Sequence, residues 1–149
     1  MSIFLKLESN GRIITEIGSG DLLHSLFSTI AARLEGDQWG SKFPLVMEQL
    51  YQGLAITRET ATHALVEWRS IRAGLAGLPP SAVVWDIEQP GKAPPWGNKV
   101  GPQVTSMANY YMTRHGLNLV TDILENLECV VESGGSLQLV SASSAANIG

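Results

Sequence analysis

Apolar and polar residues alternate at the start of the chain: Ile3, Leu5 and Leu7 are separated by Phe4, Lys6 and Glu8. That period of two predicts a half-buried strand. Ser9, Asn10 and Gly11 supply a turn, and residues 12–17 predict the second strand of a hairpin. A two-residue Asn-Gly turn would set Ile14 beside Leu5 and Leu7 but would also point Glu16 inward, which calls for a bulge. From Asp21 the period lengthens, with Leu22, Leu23, Leu26, Phe27, Ile30, Ala31 and Leu34 on one helical face ending before Gly36. A second helix is predicted from about Phe43, through Val46, Met47, Leu50, Tyr51 and Leu54, with Pro44 in its first turn. A third follows Thr57, whose hydroxyl can cap it, and buries Ala61, Ala64, Leu65, Trp68, Ile71 and Leu75.

Residues 78–97 break the helical spacing. Val83, Trp85 and Ile87 alternate with Val84, Asp86 and Glu88, which predicts a strand with one apolar side and one side that ends acidic. Pro90, Pro94 and Pro95 then force a rigid surface loop that presents Trp96. A fourth helix is predicted from Pro102 through Val104, Met107, Ala108 and Tyr111, and a fifth over residues 118–133, stopped by Gly134 and Gly135. Residues 137–140 read as a last strand. The order predicts an α+β fold: a small mixed sheet of about four strands with about five helices packed on it in two layers. One domain over residues 1–140 and a flexible tail over 141–149 are expected.

Composition narrows the function classes. Hydrophobic residues at 44% and charged ones at 16% suit a soluble globular core. The net charge of −4 leaves no basic footprint for nucleic acid or an anionic membrane. Cys129 is the sole cysteine, so no intrachain disulfide or thiolate-rich metal site can form. The opening residues lack a basic leader followed by a long apolar run, and the expected location is the cytoplasm.

Reaction signatures are absent: there is no phosphate-binding Gly-rich loop with a following Lys, no Gly-x-Ser-x-Gly and no His-Glu-x-x-His. His24, His63 and His115 lie in separate segments and read as helix-surface or helix-end residues. Asp86 and Glu88 share a strand face and could in principle hold a divalent cation or work as an acid/base pair, but no third ligand stands at an evident spacing, and a solvated strand end is the favoured reading. Asp122, Glu125, Glu128 and Glu132 form a single-signed face on the last helix, and no Lys or Arg follows His115. Such a face is either solvated or docks a basic protein. Trp68 and Trp85 fall in core patterns, whereas Trp39 and Trp96 lie in predicted loops as covers over the core or as interface anchors.

The segments Gln-Trp-Gly-Ser-Lys-Phe-Pro at 38–44, Leu-Pro-Pro-x-x-Val-Val-Trp-Asp-Ile-Glu at 78–88, Pro-Pro-Trp-Gly at 94–97 and Thr-Ser-Met-Ala-Asn-Tyr at 105–110 resemble the immunity protein 70 family. The resemblance spans residues 35–135. It implies an α/β fold without catalytic residues, in a bacterial protein that binds and neutralises a cognate toxin domain of a polymorphic toxin system. No enzyme activity, cofactor or metal is expected. The expected partner is the toxic C-terminal domain of such a protein, a nuclease of a contact-dependent growth inhibition system being the leading case. The toxin-binding residues expected first are Asp122, Glu125, Glu128 and Glu132, with Asp86, Glu88 and Trp96 as a second patch. The rivals are a small metal-dependent enzyme or metal-binding protein using Asp86, Glu88 and a nearby histidine, and a homo-oligomeric adaptor with tryptophan self-contacts. A monomer or weak dimer is expected.

Overall fold

The computed structural model describes residues 2–141. A hairpin of β1 (Ser2–Glu8) and β2 (Arg12–Ser19) opens the fold, followed by α1 (Gly20–Leu34), a short helix over Leu45–Leu50, β3 (Ile56–Thr57), α2 (Arg58–Ala76), α3 (Leu119–Ser133) and β4 (Ser136–Ser141). The strands form one sheet in the order β2-β1-β4-β3, antiparallel at every pairing. Leu5, Leu7, Leu137 and Leu139 on its inner face join the apolar stripes of α1, α2 and α3 in a common core. The α+β class, the count of four strands and the helical layer follow the expectation, but the sheet is antiparallel throughout where a mixed one is expected, and β3 stands in place of the strand expected over residues 83–88. Among the described residues no helix is long and apolar enough to cross a membrane. Apart from Ser141, the tail expected over 141–149 lies outside the described residues.

The hairpin register departs from a two-residue turn. Glu8 pairs with Arg12, so Ser9, Asn10 and Gly11 form a three-residue loop, with Asn10 at φ 58° and Gly11 at φ 136°. The register shifts between Ile3 and Phe4, which lets Ile17 bury to 1% exposure while Ile14 stays 40% exposed. At the other end of the sheet, Gly135 sits at φ +90°, and a Cβ there would collide with the Glu8 carbonyl oxygen. The Gly134–Gly135 pair is thus required both to end α3 and to let β4 enter beside β1.

Three element predictions need correction. The helix expected from Phe43 to Leu54 is regular over Leu45–Leu50 alone. Its bonds widen to five residues, from Tyr51 N–H to Val46 (3.1 Å) and from Leu54 N–H to Gln49 (3.0 Å), and this rotates Leu54 out to 57% exposure. Its first amides, those of Leu45 and Val46, donate to the Glu67 carboxylate of α2 instead of to a local cap. Thr57 is the residue before α2 but makes no side-chain cap bond.

The helix expected from Pro102 is a single 3-10 turn over Met107–Asn109. Ser106 and Asn109 divert the backbone: the amides of Thr105 and Ser106 donate to Asn109 Oδ1 at 3.0 and 3.2 Å, and Ala108 N–H donates to Ser106 Oγ at 3.1 Å. Met107 and Tyr111 are buried as the spacing predicts, but along an irregular chain.

No strand forms over residues 83–88. The alternation survives as burial, with Trp85 at 6% exposure and Val83 and Ile87 packed on the core. Its backbone partners are hydroxyls of α1 in place of a neighbouring strand. Val84 N–H donates to Thr29 Oγ1 (3.0 Å), Ser25 Oγ and Thr29 Oγ1 both lie within bonding distance of Val84 O, and Ile87 N–H donates to Ser28 Oγ (3.1 Å). The Tyr111 hydroxyl, 2.9 Å from both Ser25 Oγ and Thr29 Oγ1, closes this buried network, and burial pushes its pKa up. Thr29→Val keeps the shape but leaves the Val84 amide without an acceptor. It should cost about 1–3 kcal/mol in urea unfolding and raise hydrogen exchange at Val84; unchanged exchange would mean that α1 does not hold this segment.

Candidate functional site

The segment after Val84 carries Asp86 and Glu88 onto the exposed side of α1, beside His24. His24 Nε2 lies 3.1 Å from Asp86 Oδ1 and 3.8 Å from Glu88 Oε1, while His24 Nδ1 lies 2.6 Å from the Tyr51 hydroxyl. Every polar atom is satisfied when Nε2–H donates to Asp86 and the Tyr51 hydroxyl donates to Nδ1. The Glu88 backbone N–H, at 2.9 Å, and then His24 hold the Asp86 carboxyl below its ordinary value, against the opposing cost of desolvation. Burial, then Glu88 and Asp86, push the Tyr51 hydroxyl up. Trp39 covers this group from the loop after α1. Its ring centroid is 5.1 Å from Tyr51 and 6.0 Å from His24, and its Nε1–H donates to Met47 O. Trp39 is therefore a cover over the core.

Trp96 has the opposite character. It is 38% exposed, its Nε1–H donates to the Tyr110 hydroxyl at 2.8 Å, and it stands edge-on to Trp85 with centroids 5.3 Å apart. Burial pushes the Tyr110 hydroxyl up. Between this aromatic group and the start of α1 lies a cleft of about 350 Å³, lined among others by Asp21, Leu22, Trp85, Trp96, Tyr110 and Met112. Asp21 precedes His24 by one helical turn, so Asp21, Asp86 and Glu88 flank the same stretch of α1.

The carboxylates of α3 sit in a different setting. Glu125 and Glu132 are exposed, Glu128 lies 3.4 Å from Arg69 of α2, and Arg72 lines the same groove between the two helices. Asp122 is half-buried in the first turn of α3, with Oδ2 buried and without a hydrogen-bond partner among the described residues. Burial and then Glu125 push its carboxyl up. The single sign read along the helix is therefore broken in space by arginines of α2.

The structure does not bring the two expected patches together: Asp86, Glu88 and Trp96 belong to the α1 side, and Asp122, Glu125, Glu128 and Glu132 to α3. It adds Asp21, His24, Tyr51 and Trp39 to the first. His24 and Asp86 are 62 residues apart, so no local spacing marks the pair. Asp21 has a signal in the sequence, since it precedes His24 by three on one helix. Ligand atoms of His24, Asp86 and Glu88 lie within 4.8 Å of one another, and these are the side chains that could hold a divalent ion. The hydrogen bonds to Tyr51 and Asp86 already account for the position of the ring. Cys129 packs against the core, and His63 is exposed.

A family model described as immunity protein 70 matches residues 9–139. No curated protein and no solved structure matches the chain.

Proposed function

The chain belongs to the immunity protein 70 family, the match covering residues 9–139, and from that premise we propose that it blocks a cognate nuclease toxin by masking the toxin's basic surface. Family membership makes it a toxin-immunity protein with a protein partner, and it supports the reading of an inhibitor that acts by binding. The finer reading rests on charge. A nuclease must present Lys and Arg to phosphates, and a chain of net charge −4 can occupy that surface with carboxylates. Delivery by contact-dependent growth inhibition or another polymorphic system, and protection within the cytoplasm, complete the proposal.

Two surfaces compete for the interface, and the one around Asp21, Asp86, Glu88 and Trp96 has the better support. Glu88 is 79% exposed, and Trp96 offers an aromatic anchor in a cleft that it shares with Asp21. On α3, Arg69 answers Glu128, and part of the field is spent within the molecule. Glu125, Glu132 and Asp122 remain a flank that a contact of roughly 1,600 Å² could include or leave out. The test is co-expression in bacteria with the cognate toxin domain. Restored growth is expected; growth arrest identical to that without the chain would overturn the proposal.

A further inference from the structure

The cleft between the start of α1 and the loop bearing Trp96 is chemically distinctive. Trp85, Trp96 and Tyr110 supply ring faces and edges, with Trp96 and Tyr110 centroids 6.1 Å apart and locked by the indole-to-hydroxyl hydrogen bond. Asp21 supplies a negative charge at the rim and makes no ion pair among the described residues. Among the described residues no cationic side chain lines the space. The dipole at the start of α1 contributes a partial positive charge of about half an elementary unit, which the Asp21 carboxylate exceeds. Ser19, also in the lining, accepts the Leu22 amide at 3.2 Å and keeps its hydroxyl proton for water or a ligand.

Electron-rich ring walls with one unpaired carboxylate at the mouth match a planar cation. At about 350 Å³ the cleft is at the low end for small-molecule sites, roughly 300–1,000 Å³. It suits one long side chain better than a cofactor. We propose that this cleft receives a single arginine side chain of the toxin, with the guanidinium stacked on Trp96 and paired to Asp21, and the methylene stem against Leu22 and Met112. Arginine is favoured over lysine because its flat, weakly hydrated head stacks on aromatic faces and pairs a carboxylate through two N–H groups. The identity of the donor rests on the toxin-binding reading; the chemistry of the cleft does not.

The test therefore uses the chain alone. N-acetyl-arginine amide is titrated into ¹⁵N-labelled protein, and the indole N–H signals of Trp85 and Trp96 are followed. Saturable shifts at Trp96 with a Kd on the order of 1 mM are expected. The neutral isostere N-acetyl-citrulline amide should bind at least about 5-fold more weakly, and Asp21→Asn should weaken the arginine probe by a similar factor. No saturable shift at Trp96 would overturn the proposal. Equal binding of the citrulline probe, or an unchanged Kd in Asp21→Asn, would also overturn it, since either result describes an apolar cleft without selection for charge. Failure of this titration with toxin binding intact removes the cleft alone, whereas loss of toxin binding with a positive titration removes the toxin reading alone.

Discussion

Glu35→Ala is expected to lower the unfolding free energy by about 3–5 kcal/mol, a large part of the roughly 5–15 kcal/mol available to a small domain. Glu35 follows the last turn of α1 and is 6% exposed. Its carboxylate accepts the backbone amides of Gly40 (3.0 Å), Lys42 (2.9 Å) and Phe43 (2.9 Å). Hydrogen bonds to a charged acceptor contribute about 1.5–3 kcal/mol each, and the amide of Phe43 is buried with no water to replace the loss. The effect reaches the candidate site through the same loop, because it holds Trp39 over His24 and Tyr51. Urea unfolding measures the loss, and tryptophan fluorescence should report a loosened Trp39. Glu35→Gln should fall between, since it retains an acceptor for Lys42 and Phe43 but turns an NH₂ toward the Gly40 amide. A loss below about 1 kcal/mol in Glu35→Ala would show that the loop is held by other contacts.

The second large effect concerns binding. The double variant Asp21→Lys/Glu88→Lys is expected to weaken affinity for the toxin domain about 100-fold or more, near 2.7 kcal/mol. Both side chains are exposed, so the fold should be kept, with a loss of about 0.3–1 kcal/mol from placing a cation in the first turn of α1. The loss should be carried by faster dissociation and by slower association at low salt, because the reversed charges repel the basic surface they formerly attracted. Glu125→Lys/Glu132→Lys on α3 is the comparison. It should reduce association at low salt and cost less than about 5-fold in affinity at physiological salt. A reversed ranking would move the interface to α3.

The two surfaces show what periodicity can and cannot report. The hairpin, α1, α3 and β4 were legible because their apolar residues repeat with the period of their own backbone geometry. The segment 83–88 also repeats with period two, and its burial follows. But alternation states which side faces the core and says nothing of what satisfies the backbone, and here Ser25, Ser28 and Thr29 of α1 do so. The stretch after Pro102 matched a helical template at Val104, Met107, Ala108 and Tyr111, yet Ser106 and Asn109 offered the amides closer partners. β3 is two residues long, too short for any period to mark.

Charge was legible along the chain but not across it. The absence of Lys and Arg after His115 is a fact of the sequence. Arg69, 59 residues before Glu128, nevertheless comes to 3.4 Å from it when α3 packs along α2. Likewise Asp86 and Glu88 stood out as paired carboxylates, while the histidine that meets them was indistinguishable from a surface residue of α1. Trp96 was separable from Trp68 and Trp85 by its proline-braced loop. Its partner Tyr110, 14 residues away, was not marked by any pattern.

Neutralisation as proposed requires direct stoichiometric binding of the toxin by this chain. Calorimetric titration of the purified chain into its cognate toxin domain measures that binding. One-to-one binding with a Kd at or below about 10 nM is expected, with loss of toxin activity in proportion to the complex formed. No heat of binding at micromolar concentrations, together with full toxin activity in the presence of excess chain, would contradict it.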